Sequence, residues 1–96
     1  MSTPRLYVDF NEMLDRDLVL LSKDDTKTDS HGSVIHLSEG LPVAIYSDDL
    51  DESGKPDNLI AEGIVERNKD FTGWSSHVKW CCRIDTKGIR HESDSL

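Results

Sequence analysis

The stretch HVKWCCRID, residues 77–85, decides the reading of this chain. Side chains on a strand alternate between two faces. Val78, Trp80, Cys82 and Ile84 therefore form one row, and His77, Lys79, Cys81, Arg83 and Asp85 the other. The first row is apolar and belongs in a core; the second is polar with a cysteine at its centre. A slip of one residue would drive Lys79 and Arg83 inward as unpaired buried charges, so the register is strongly specified. The pattern predicts a strand with one wet face, a buried Cys82 and an accessible Cys81.

Working outward, the rest of the chain also reads as short strands. RLYVDF alternates Leu6, Val8 and Phe10 against Arg5, Tyr7 and Asp9. Asn11 suits the N-cap of a single helical turn over NEMLDRD. Leu18–Ser22 is an apolar run that fits a strand covered on both faces, and Lys23–Ser33 is polar and turn-rich, a surface loop. Val34–Leu37 is expected to pair locally. Pro42 suits a strand start, where no N–H is needed, with Val43–Ser47 following. Residues 48–58 form an acidic loop. Gly63, inside the strand NLIAEGIVERN, signals a bulge or a close backbone approach. The turn TKG leads to a last strand at Ile89–Glu92, and residues 93–96 form a frayed tail. Five or six short strands with at most one helical turn predict an all-β fold, a small, strongly bent antiparallel barrel.

Ninety-six residues suit a single domain, 1–96. Leu, Ile, Val and Phe make up a quarter of the chain, enough for a small core but not for a deep substrate cavity. No apolar run is long enough to span a membrane and no apolar leader opens the sequence, so a cytoplasmic location is the default expectation. The only cysteines are neighbours on a strand and cannot readily bridge each other. The net charge of −8 discourages nonspecific nucleic-acid binding. It is unevenly spread: from Arg67 to His91, six cations face Asp70 and Asp85, leaving that segment at +4.

The order of LYVDF, a long polar loop, paired strands, then GW, VKWCCRID and GI resembles the SH3-like and Sm-like small-barrel group. LYVDF is similar to the opening of an SH3 domain and GIRHES to its closing strand. The resemblance implies a small barrel that binds a partner. Polyproline recognition is not implied, because an extra apolar segment, 34–46, intervenes and no paired aromatics precede the final strands.

Candidate chemistry is thin. Asp49, Asp51, Ser53 and Gly54 fall on the first positions of a calcium-binding EF-hand loop, but position 12 is Ile60 rather than Glu and position 8 is Pro56. The stretch reads as a solvated hairpin loop built from turn-forming residues. His77 and Cys81 lie about 13 Å apart along a strand, too far for one zinc ion, and no close-spaced ligand pair points to a metal. Lys79 and Arg83 beside Cys81 favour a thiolate, yet no base stands close enough to make a nucleophile. No catalytic residue and no cofactor is expected. Trp74 in FTGWSS either presents an aromatic anchor to a partner or folds back to cap the barrel. The expectation is a non-enzymatic module that binds another protein through Phe71, Trp74, His77, Lys79, Cys81 and Arg83. The alternative is an Sm-like barrel whose 67–91 segment contacts RNA or single-stranded DNA.

Overall fold

A computed structural model describes residues 3–69, 73 and 76–95. The fold is all-β. Among the described residues nine strands run in order: β1 Arg5–Tyr7, β2 Met13–Asp15, β3 Leu18–Ser22, β4 Thr26–Thr28, β5 Val34–His36, β6 Pro42–Ser47, β7 Leu59–Arg67, β8 Trp80–Ile84 and β9 Arg90–His91. A single 3₁₀ turn, Glu92–Ser95, follows. Among the described residues no helix is long and apolar enough to cross a membrane.

The main sheet has the order β1-β6-β7-β8-β3-β2, with β9 pairing β7, while β4 and β5 form a separate hairpin. Leu6 of β1 and Val19 and Leu21 of β3 join one core cluster although they lie far apart along that path. The sheet must therefore bend strongly. It does not close into a barrel, because β1 and β2 end the path without pairing. The inner face buries Val43, Ile45, Ala61, Val65, Trp80, Cys82 and Ile84, and Leu37, Ile35 and Leu41 pack over it.

Gly63 explains how β7 and β8 approach so closely. A Cβ there would collide with the backbone carbonyl of Arg83 and stand 3.0 Å from the Cys82 sulfur. Only a residue with no side chain fits, as its place in the strand suggested. Pro42 does open β6, and Val34–His36 pairs locally, with Thr26–Thr28.

Several expectations need correction. The helical turn over 11–17 is absent: Met13 packs on the core and Leu14 on the opposite face, which is strand alternation. Part of the expected loop 23–33 is β4. The terminal strand is shorter than expected, and the tail from Glu92 to Ser95 is wound into the 3₁₀ turn. The sheet is not wholly antiparallel, since β1 pairs with β6 in parallel register, Leu6 opposite Ile45.

The largest correction concerns Cys81. It is fully buried, as is Cys82. The outer face carries a second apolar cluster, in which Leu20 and Val78 bury Cys81 and Leu14 and Leu18 pack alongside. Val78 joins this cluster rather than the row of Trp80, because β8 begins only at Trp80 and its register against β3 shifts between Leu20 and Ser22.

Candidate functional site

Of the six side chains expected to bind a partner, the structure describes His77, Lys79, Cys81 and Arg83, and these four have different surroundings. Phe71 and Trp74 lie outside the described residues. Cys81 is covered. Burial first, then Glu66, pushes its thiol up to about 11, with Arg83 opposing. Burial likewise pushes Cys82 up to about 12. The expected activation of Cys81 by neighbouring cations is thus overridden by loss of solvent.

Arg83 serves the sheet itself. Its Nε donates to Glu66 Oε2 at 2.8 Å, and its Nη1 donates to Asp17 Oδ1 at 2.8 Å. These hydrogen bonds, Glu66 foremost, hold the guanidinium further above its ordinary pKa. Lys79 points elsewhere. Its Nζ is 2.6 Å from Asp25 Oδ1, which also accepts the Trp80 indole N–H at 3.0 Å. Those two donors, Lys79 first, hold the Asp25 carboxyl below the usual range. Lys79 and Arg67 flank the Trp80 ring at 5.7 and 5.8 Å. Of the six, His77 remains exposed, in the turn before β8.

His77 borders the feature that sequence reading missed. The backbone leaves the edge of β3 at Glu12, whose carbonyl accepts the Leu20 N–H, and turns at Asp9–Glu12 towards β1. The 7–9 and 20–24 segments therefore diverge like the arms of a splayed hairpin. Between them lies an open groove of about 390 Å³. Tyr7, Val8 and Asp9 form one wall, Leu20 to Asp24 the other, with Lys27, His77 and Val78 completing it.

Two backbone features make the groove receptive. The Val8 N–H and Pro4 carbonyl bond towards β6, so Arg5 and Tyr7 present their backbone groups to the opposite side. The Arg5 carbonyl accepts from Ser30 N–H; the Tyr7 N–H and carbonyl have no backbone partner among the described residues. Tyr7 itself is 47% exposed and meets Tyr46 edge-on at 5.6 Å.

Lys27 supplies the charge. It sits opposite Ile35 in the β4–β5 hairpin, and directly paired residues share a face, so its stem follows Ile35 towards the core. Its Nζ donates to the Leu21 carbonyl at 3.1 Å. No carboxylate among the described residues forms an ion pair with it. Burial lowers its pKa from the ordinary lysine value. A β-branched residue on each side, Thr26 and Thr28, was the one sequence hint that Lys27 lies on a strand.

The acidic loop 48–58 uses its carboxylates on its own chain. Asp51 Oδ1 accepts the Ser53 and Lys55 N–H groups, each at 2.9 Å, and the Ser53 hydroxyl at 2.7 Å. Asp49 pairs with His91 at 2.8 Å, and Asp57 accepts the Ser93 hydroxyl at 2.7 Å. Comparison with known proteins adds no relative: no family model, curated protein or solved structure matches the chain.

Proposed function

We propose that this protein is a small non-enzymatic binding module that takes an extended segment of another protein into the groove between residues 7–9 and 20–24. The observation that carries the reading is the splayed hairpin: a strand edge with free backbone groups faces a groove walled by apolar and polar side chains. Extended peptides bind such edges through main-chain hydrogen bonds, with side-chain pockets adding specificity. Tyr7 at the lip is an aromatic of the kind that anchors interfaces. The resemblance of LYVDF and GIRHES to SH3-like chains supports treating the strongly bent sheet as an open relative of a small barrel. Two buried thiols with raised pKa offer no thiolate at neutral pH, which weighs against cysteine chemistry.

The nucleic-acid reading draws less support. Lys79, Arg83, Lys87 and Arg90 in the locally basic segment each face a carboxylate of this chain, respectively Asp25, Glu66 with Asp17, and Glu62 for the last two. Cations already matched in this way release few counterions on meeting phosphate.

The test is selection of displayed random 12-residue peptides on the immobilised protein, followed by amide chemical-shift mapping. Shifts concentrated at Tyr7–Asp9 and Leu20–Asp24 support the reading. Failure to select any peptide, or shifts confined to the outer face around Ile64, would overturn it. A mixed oligonucleotide pool that binds at low salt, with a steep salt slope, would favour the alternative.

A further inference from the structure

Lys27 is the half-buried cation of the groove, and no carboxylate among the described residues forms an ion pair with it; Lys23, also in the groove lining, is exposed. Its ammonium has three donors, and the structure gives it a single carbonyl, that of Leu21. A half-buried cation without a counter-ion is costly, since it has lost part of its hydration and gained no opposite charge. Other half-buried cations contrast with it: Arg5, Lys79, Arg83 and Arg90 each pair with a carboxylate, while the exposed Arg67 lies over the Trp80 ring. The groove rim is acidic on balance: Asp9, Glu12 and Asp24 line it against the exposed Lys23, and none of the three acids forms an ion pair with Lys27.

Resting on the reading of the groove as a peptide site, we infer that Lys27 selects a partner segment carrying an Asp or Glu side chain, whose carboxylate reaches the Lys27 ammonium between the diverging arms. The acidic rim and the chain's net charge of −8 oppose a uniformly acidic peptide. The favoured partner is therefore an extended segment with a single carboxylate flanked by lysine or arginine. The carboxylate meets Lys27, while the flanking cations face Asp9, Glu12 and Asp24. Charge complementarity of this alternating kind fixes register as well as affinity.

The experiment uses nine-residue peptide pools, acetylated and amidated so that no chain terminus carries charge. The central residue is Glu, Gln or Lys, the flanking residues are Lys or Arg, and the outer positions are random. Binding to the full chain is read by the shifts of the groove amides. The Glu pool is expected to bind about tenfold more tightly than the Gln pool, the size of one charge-assisted hydrogen bond. Lys27→Met should abolish that preference while leaving weak binding of both pools, and Lys27→Arg should retain it. Equal binding of the Glu and Gln pools at the same amides would overturn the role of Lys27 and leave the peptide groove standing. Absence of any groove shift with all three pools would overturn both. Amide dispersion of each variant checks that it is folded. Lys27→Met should also melt at or above the temperature of the unsubstituted chain, since it removes a cation that the folded state desolvates.

Discussion

Gly63→Ala is the sharpest test of the bent sheet. The added methyl meets the Arg83 carbonyl, a backbone atom in the neighbouring strand, and the Cys82 sulfur at 3.0 Å. Neither can swing aside as the end of a flexible side chain would, because Arg83 is paired on both sides, with Ile64 and with Leu18. The substitution must push β7 from β8 at the centre of the core. Overpacking of this kind costs about 3 kcal/mol, the upper part of its usual range. At 4–8 °C per kcal/mol for a domain of this size, the melting temperature should fall by roughly 12–24 °C. Gly54→Ala is the control. Gly54 has φ of +84° with open space around its Cα, so alanine there meets backbone strain alone. That costs about 1 kcal/mol and roughly 4–8 °C. Both are read by thermal melts followed by circular dichroism. A Gly63→Ala loss no larger than that of Gly54→Ala would refute the close approach.

Three further outcomes are expected. At neutral pH a thiol reagent should modify neither cysteine in the folded state, and both should react only at the rate of unfolding; prompt labelling of Cys81 would contradict the outer apolar cluster. The Asp49–His91 pair should stabilise the fold most at mildly acidic pH. His91 is raised from its ordinary 6.5, chiefly by its hydrogen bond to Asp49, so its contribution is complete below 6.5 and fades as pH rises through the higher folded value. Asp49 is lowered from 3.8, chiefly by that same bond, so its contribution is lost as pH falls below that value. Melting temperature against pH should show this window, and His91→Gln should flatten its alkaline side. Finally, millimolar calcium should leave the melting temperature unchanged, because Asp49, Asp51 and Asp57 each serve a different partner in the chain; a clear rise would reveal a bound ion.

What the sequence disclosed follows from how far each signal reaches. Alternation over Trp80, Cys82 and Ile84 correctly marked the inner row, since a strand carries its own two-residue period. The same alternation could not say what lies on the other face. Leu14, Leu18 and Leu20, some 60 residues earlier, cover Cys81, and nothing near HVKWCCRID announces them. The parallel pairing of β1 with β6 is equally remote, because each strand alone reads the same in either direction. Lys27 was hidden by its surroundings: a lysine within KDDTKTDSHGS looks like loop until Ile35 is placed opposite it. The groove was invisible for a related reason, as it arises from the divergence of two segments and not from any motif. Phe71 and Trp74, the aromatic candidates, fall outside the described residues.

The strand order has a consequence for how the chain comes off the ribosome. Leu6, Val19 and Leu21 are made early, yet their core partners Trp80, Cys82 and Ile84 are made late. β3 has β2 on one side from the start but lacks its other neighbour until β8 emerges, and β1 waits for β6 across more than thirty residues. Before β8 emerges the chain can pair β2 with β3, β4 with β5, and β6 with β1 and β7, but nothing joins β3 to β7 across the core. Stalled chains ending before residue 80 lack the strand that joins the two halves of the sheet, and should be far more protease-sensitive than chains that include β8.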